Sequence, residues 1–318
     1  MALSLLEFEK PLDEIEKELE GLRSQAEATG EGDEARIDLL QGELDAKRSK
    51  IFARLKPWQR VQVARHPARP RSLDYIRWML TDWTELKGDR RFGDDKAVVT
   101  GFGKFEGRPV AAIGQQKGID TKDNITRNFG MMHPEGYRKA LRIMQVAEKF
   151  KIPILIFIDT QGAFPGIGAE ERGQAEAIAW NMMQMSGVCV PIICSVIGEG
   201  ASGGALGLGV GDRLIMLEYA WYSVITPEGC AAILWRDSAR AAEAAEALKL
   251  TAEDLDRFGL VDEIVPEPLG GAHRNHGETA SNLKAAIGRH LDELVKIESD
   301  ALVDQRFERY RTIGETEG

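Results

Sequence analysis

An α/β fold with parallel strand pairing is what this sequence predicts, and three observations carry that prediction. Apolar runs rich in Ile and Val, chiefly 152–159 and 188–197, read as buried strands. Segments with apolar residues at helical spacing separate them. Two of the runs close in glycine-rich turns that open helices: Asp159-Thr160-Gln161-Gly162-Ala163-Phe164-Pro165-Gly166, and Gly198 through Gly204. Strand, glycine turn, helix, repeated in that order, is the signature of a sheet with parallel pairing.

Taken along the chain, residues 7–55 are rich in Glu, Leu, Ala and Lys. Leu12, Ile15, Leu19 and Leu22, then Ile37, Leu40, Leu44 and Ile51, recur at helical spacing, and residues 28–32 interrupt them. Two amphipathic helices packed as a hairpin are expected, a solvated arm without chemistry of its own. A third helix is expected over 73–86, with Ser72 as its N-cap. The texture changes after Gly88. Runs 97–105 and 108–115, joined by Glu106-Gly107, have the pattern of a β-hairpin. Residues 117–133 read as a loop containing Gly, Lys and Arg. A helix starts at Pro134, whose fixed φ and missing N–H suit the first helical position. Strand 152–159, helix 170–185 and strand 188–197 follow, then a short Ala/Leu/Gly helix after Gly204. Residues 213–217 and 222–225 are strand-like, 266–277 is a loop, and 281–313 is helical. No repeat of fixed period is visible. The chain thus divides into a helical N-terminal extension (1–88), a core (89–270) and a C-terminal loop and helical segment (271–318).

Composition narrows the function classes. The 318 residues, 43% of them hydrophobic, suffice for one large domain or two modest ones. A net charge of −10 argues against general nucleic-acid binding and against an anionic membrane. No apolar run is long enough to span a bilayer, and residues 1–11, with Glu7 and Glu9, do not read as a signal peptide. The three cysteines form no Cys-x-x-Cys pair, so neither a disulfide framework nor a structural zinc site is expected, and a reducing cytoplasm is the simplest compartment.

The glycine turns carry the chemistry. Glycine lets the backbone turn sharply and lets a ligand approach peptide N–H groups, and a helix start adds unpaired donors and partial positive charge. Such a site suits a bound anion or a transient oxyanion. Neither turn is a phosphate-binding Walker loop or a dinucleotide fingerprint. Tight packing of helix on strand also wants small residues and stands as the alternative.

Longer strings point to a family. Asn128-Phe129-Gly130-Met131, Pro134-Glu135-Gly136-Tyr137-Arg138-Lys139-Ala140, and Ile158-Asp159-Thr160 with Gly162-Ala163 resemble the carboxyltransferase alpha subunit of acetyl-CoA carboxylase. So do Pro165-Gly166 with Gly168-Ala169-Glu170-Glu171-Arg172-Gly173-Gln174, and Val196-Ile197-Gly198-Glu199-Gly200 with Ser202-Gly203-Gly204-Ala205-Leu206. Pro227-Glu228-Gly229-Cys230-Ala231 and the string from Pro266 to Arg274 extend the resemblance, which runs from residue 6 to about 309. Two positions depart from the pattern: Ala201 stands where a glycine is expected, and Gln161 where proline is common.

The resemblance implies a crotonase-like fold of repeated ββα units behind an N-terminal helical extension. It implies an alpha2beta2 complex with a zinc-ribbon beta subunit that holds most of the acyl-CoA pocket. The carboxyl group would come from carboxybiotin on a biotin carboxyl carrier protein, loaded by a separate ATP-dependent biotin carboxylase, and pass to acetyl-CoA to give malonyl-CoA. Loss of that carboxyl group leaves charge on the ureido oxygen, which fixed N–H donors would stabilise. The expected donors are the backbones of Gly203 and Gly204, then of Gly162 and Ala163. Arg172, with Ser202, is assigned to substrate: a guanidinium there would hold a carboxylate or carbonyl, the alternative being an ion pair with Glu170 or Glu171. Asp159 and Glu199 are expected to brace the turns rather than act as acids. Basic residues gather at Arg60, Arg65, Arg69 and Arg71, and at Lys117, Lys122, Arg127, Arg138, Lys139 and Arg142. They would meet CoA phosphates or the carrier protein, or form a solvated or beta-subunit face. His273 and His276, three apart on a loop, are assigned no metal. Three other readings stand beside this one: a carboxyltransferase or decarboxylase subunit for another acyl-CoA, a hydratase or isomerase acting alone, and a non-catalytic assembly subunit.

Overall fold

The computed structural model describes residues 5–30 and 32–314. The first four residues of the opening segment, Glu31 in the break between the first two helices, and the last four residues lie outside them. A 3-10 turn leads into α1 (Asp13–Thr29), which stops at Gly30 in the left-handed region. Asp33 then accepts the Arg36 N–H and starts α2 (Glu34–Phe52). The two helices form the expected hairpin, closed by a small core of Leu12, Ile15, Leu19, Leu40 and Leu44. Buried Glu9 and partly buried Glu16 bind Arg274 at 2.8 and 3.0 Å, tying the hairpin to the loop before the C-terminal helices.

After α3 (Pro57–Ala64) comes the first correction. The helix expected over 73–86 is α4 (Ser72–Met79) followed by strand β1 (Leu80–Glu85). Thr81, Trp83 and Thr84 favour a pleated strand, and the antiparallel partner β2 (Val98–Phe105) supplies the hydrogen bonds. Ser72 is not the N-cap; Arg71 holds that place, and its N–H is held by Asp74. The Ser72 hydroxyl instead donates to the Gln115 carbonyl at 2.6 Å. Strand β3 (Arg108–Gln115) completes the expected hairpin. Its two turn residues, Glu106 (φ 51) and Gly107 (φ 81), are both left-handed, matching the twist of the strands.

The segment read as a loop holds a short helix α5 (Thr121–Thr126), none of it buried, and so without an apolar stripe to betray it. Then follow α6 (Pro134–Lys149) and β4 (Ile154–Thr160). The helix expected over 170–185 is broken in two, α7 (Ile167–Glu171) and α8 (Gln174–Gly187), because Gly173 turns left-handed at φ 81. Strand β5 (Ile192–Ala201) starts later than expected and runs straight through Gly198-Glu199-Gly200. Those glycines are therefore strand, not turn: a Cβ on Gly198 would lie 2.6 Å from Asp159, and one on Gly200 would lie 2.3 Å from the Tyr222 ring. Ala201 has φ −109, which any residue adopts.

The turn proper begins at Ser202 (φ 57) and opens α9 (Ser202–Leu206). Strands β6 (Arg213–Leu217) and β7 (Trp221–Ser223) come next. Helices α10 (Pro227–Trp235), α11 (Ala241–Leu248) and α12 (Ala252–Arg257) precede β8 (Glu263–Val265). The helical tail is two helices, α13 (His276–Leu294) and α14 (Ser299–Thr312), so the preceding loop is shorter than expected.

The sheet order is β1-β2-β3-β4-β5-β6-β8, with β7 paired to β5. From β3 onward every pairing is parallel, as the strand–turn–helix order requires. All residues of β4 and β5 are buried, which is why both read as unbroken apolar runs.

Candidate functional site

Strands β4 and β5 are neighbours, with Thr160 paired to Gly200, so the turns that follow them leave the same edge of the sheet. The carboxyl ends of parallel strands are where open α/β sheets bind ligands. The two turns touch. A Cβ on Gly204 would lie 2.2 Å from the Gly162 carbonyl carbon and 2.6 Å from the Ala163 nitrogen. Only glycine at 204 lets the start of α9 lie against the Gly162–Ala163 peptide.

Gln115, buried at the end of β3, stitches the pair. Its Nε2 donates to the Gly204 carbonyl at 2.7 Å and its Oε1 accepts the Asp159 N–H at 3.1 Å. The Thr160 hydroxyl donates to the Gly162 carbonyl at 2.8 Å and accepts the Gly162 N–H at 3.2 Å. The first N–H groups of α9 have no partner within the helix, and the Ala163 N–H has none among the described residues. Gly162 and Gly204 are buried, Ala163 and Gly203 are half-buried, and Ser202 is exposed at the rim. The structure thus brings together five of the six expected site residues. Sequence reasoning missed Gln115; its one signal is that it ends the hairpin strand beside β4.

Arg172 lies elsewhere. It follows the end of α7, and its guanidinium forks onto buried Glu135 at 2.9 and 3.1 Å while stacking over Phe92 at 4.5 Å. The ion pair expected with Glu170 or Glu171 is not made. Residues one or two apart do not face each other at a helix end, whereas Glu135, on the first turn of α6, does.

Beside the turns lies a buried ionic network. Lys117 Nζ is 2.6 Å from both Asp159 Oδ1 and Glu199 Oε2. Glu199 Oε1 meets Arg65 Nε at 2.6 Å, Arg65 reaches on to Glu228, and the Glu199 N–H donates to Asp159 at 3.0 Å. Burial works to raise the Glu199 carboxyl, but Lys117 and Arg65 outweigh it and hold it below the usual carboxylate range. Burial works to lower Lys117, and Asp159 and Glu199 raise it instead. The network lines a cleft of about 160 Å³ that also takes in Arg69, Arg71 and exposed Gln161. Both carboxylates are committed to cations, so they brace the turns.

Several of the basic residues are structural. Arg69 is buried on Glu267 and the Ile197 carbonyl; Lys139 is buried on Asp94 and two carbonyls; Arg60 pairs with Glu253, and Arg127 with Asp123. His273 stacks on His66 at 3.8 Å, and burial together with His66 and Arg274 pulls it down to about 2. His276 instead meets the Ala68 carbonyl at 2.8 Å.

Comparison with known proteins follows the same lines. Residues 5–314 match the family described as acetyl co-enzyme A carboxylase carboxyltransferase-like. A protein of Xanthomonas campestris pv. campestris (strain B100), named acetyl-coenzyme A carboxylase carboxyl transferase subunit alpha, is 54% identical over 313 residues, 98% of each chain. One of the same name from Geobacter metallireducens is 56% identical over 308 residues, 96% of each chain. Among solved structures, transcarboxylase 12S aligns with a TM-score of 0.59 at 20% identity, over 72% of this chain and 42% of that one. A Pseudomonas malonate decarboxylase hetero-tetramer chain aligns with a TM-score of 0.58 at 17% identity, over 76% and 95%. At those identities the likeness is one of fold, and the fold is the crotonase-like one. With two touching glycine turns at the edge of that fold and a match over nearly its whole length, the chain belongs to the acetyl co-enzyme A carboxylase carboxyltransferase-like family.

Proposed function

We propose that this chain is the alpha half of a biotin-dependent carboxyltransferase. It helps pass a carboxyl group from carboxybiotin, on a biotin carboxyl carrier protein, to acetyl-CoA, giving malonyl-CoA. The observation that carries the reading is the contact between Gly204 and the Gly162–Ala163 peptide, which gathers unpaired backbone donors from two turns at one place. Carboxybiotin, when bound, supplies the carboxyl group and leaves negative charge on its ureido oxygen.

The residues present fit such a group. The Ala163 N–H is without a partner among the described residues, and glycine at 203 leaves the rim open. The N–H groups of Gly203, Gly204 and Ala163 hold the developing charge, and Gly162, whose own N–H is held by the Thr160 hydroxyl, shapes the turn that presents them. Fixed donors need no reorganisation as charge appears. Gln115 and the Lys117–Asp159–Glu199 network keep the turns in place. Ser202 contacts the substrates at the rim; Arg172, which rests on Glu135 away from the turns, would reach a substrate only by releasing that fork. The acyl-CoA pocket and the enolate's donors lie mostly on a zinc-ribbon beta subunit in an alpha2beta2 complex, and a separate biotin carboxylase loads the carrier. No helix among the described residues is long and apolar enough to cross a membrane; the cytoplasm is the proposed compartment. The test is co-purification of the chain with its genomic beta partner, followed by assay of malonyl-CoA formation from acetyl-CoA. A complex that assembles and carboxylates only another acyl-CoA would overturn the substrate assignment.

A further inference from the structure

A second cleft, of about 240 Å³, opens between the loop before β2 and the outer flanks of α6 and α8. Four guanidiniums line it: Arg90 and Arg91 from the loop, and Arg138 and Arg142, four residues apart on α6. Among the described residues none of the four has an ion-pair partner. Arg90 and Arg142 donate only to the carbonyls of Lys87 and Gly88, at 3.1 to 3.2 Å, and Arg138 to that of Arg172. The chain has 51 acidic residues against 41 basic ones, so four unpaired arginines in one concavity need a reason. The carboxylates nearby, Asp89 and Asp94, act on Arg142 only through space, and among the described residues none forms an ion pair with the four; Asp89 Oδ2 is itself buried without a partner. Asp89 Oδ1 accepts three backbone N–H groups and shapes the loop, and exposed Glu176 forms no ion pair. Burial and neighbouring Arg90 depress the Arg142 guanidinium, and Asp89 and Asp94 offset them only in part.

Two other features belong to the same cleft. Trp180 lines it with 45% of its surface exposed, an aromatic face open to stacking. Asn181 is only 1% exposed; its amide nitrogen donates to the Gly207 carbonyl at 3.2 Å, which leaves Oδ1 as a buried acceptor with no partner. Such an acceptor wants a hydroxyl or N–H from a ligand that enters the cleft.

We infer that this cleft binds a nucleoside diphosphate group, with the diphosphate among Arg90, Arg138 and Arg142, the base against Trp180, and a sugar hydroxyl on Asn181 Oδ1. Planar guanidiniums suit phosphate oxygens as forks, and an aromatic wall beside them suits a base. The same chemistry is offered by a free nucleoside diphosphate and by the nucleotide end of CoA. The inference does not rest on the carboxyl-transfer reading, because binding requires neither a beta partner nor turnover.

The test is calorimetric titration of the full-length chain with ADP, inorganic diphosphate and CoA. We expect saturable binding of ADP at one site per chain, weaker binding of diphosphate, and quenching of tryptophan fluorescence by ADP that Trp180→Phe removes. Arg142→Gln and Arg138→Gln should each weaken ADP by about tenfold or more, as expected for a charged hydrogen bond. Arg77→Gln, an exposed arginine on α4, should change nothing. Arg142→Gln also gives up its bonds to the Lys87 and Gly88 carbonyls, so each ligand effect is read against the variant's own ligand-free melt; the variant should lose the ADP-induced rise in melting temperature, whereas a purely structural arginine would keep it. CoA binding as tightly as ADP and competing with it assigns the site to the nucleotide end of CoA, whereas ADP binding without CoA assigns it to a free nucleotide. Absence of saturable ADP binding, or binding indifferent to both arginine variants, overturns the inference. Loss of beta-subunit assembly in Arg142→Gln with no nucleotide binding by the parent overturns it in favour of a protein contact.

Discussion

Gly204→Ala is the smallest perturbation that tests the paired turns. Its new Cβ would sit 2.2 Å from the Gly162 carbonyl carbon, 2.5 Å from the oxygen and 2.6 Å from the Ala163 nitrogen, where ordinary contact begins at 3.4 Å. The obstruction is backbone on all three counts, so no rotamer change relieves it and the turns must separate by about an ångström. Such overpacking costs about 1–3 kcal/mol of stability, which a domain of this size tolerates. The catalytic loss should be larger. Taking one fixed donor out of range costs about 10²–10³ in rate. Gly203→Ala is the control, because its Cβ meets only Ile178, at 3.5 Å. The assay is steady-state malonyl-CoA formation by the reconstituted complex, with assembly checked by sizing and folding by thermal melts. We expect Gly204→Ala to assemble and lose most of its turnover while Gly203→Ala keeps its stability. An assembled Gly204→Ala complex with near-normal turnover would refute the reasoning.

Other consequences are separately measurable. Arg172→Lys loses the fork on buried Glu135; if Arg172 touches substrate, turnover of the assembled complex falls sharply, whereas unchanged kinetics with a loss of about 1.5–3 kcal/mol in urea unfolding, the worth of one charged hydrogen bond, would place it as a brace between α7 and α6. Lys117→Met leaves Asp159 and Glu199 buried without their shared cation and should cost about 3–5 kcal/mol in the same measurement. Glu199 is held below the usual carboxylate range, so its stabilisation is full above the unfolded carboxylate pKa and is lost as pH falls through the lowered native value; the acid limb of stability should flatten in Glu199→Gln. Arg306→Leu removes a buried guanidinium held by Asp212 at 2.8 Å and by the carbonyls of Met185, Val188 and Val190; it should cost about 3–5 kcal/mol while leaving turnover per folded complex unchanged.

Where burial wrote a pattern into the sequence, the fold was legible. β4 and β5 are buried at every residue and could be read as strands, and the N-terminal hairpin shows its stripe of Leu and Ile. The errors fall where tertiary partners overrule local pattern. Leu73, Ile76 and Leu80 keep a helical spacing, yet pairing with β2 makes the chain a strand from Leu80 onward. Gly198 and Gly200 look like turn residues, but each is small because Asp159 or Tyr222 presses on it. At the site, the glycine strings were visible and their mutual contact was not, since it depends on β4 and β5 being neighbours. Gln115 and Lys117 carry no motif; their roles exist only once β3 is paired with β4 and the loop after it reaches Asp159 and Glu199. Arg172 stood out by its string, but its partner Glu135 is 37 residues away.

The central claim is that this chain supplies the carboxybiotin half of a site completed by another subunit. Decarboxylation of malonyl-CoA in the presence of a soluble biotin analogue measures it most directly, run with this chain alone, its beta partner alone, and the two together. Turnover is expected only in the mixture, rising with the biotin analogue and lowered about 10²–10³-fold by Gly204→Ala. Turnover by this chain alone, or a mixture that decarboxylates equally well without the analogue, would contradict it.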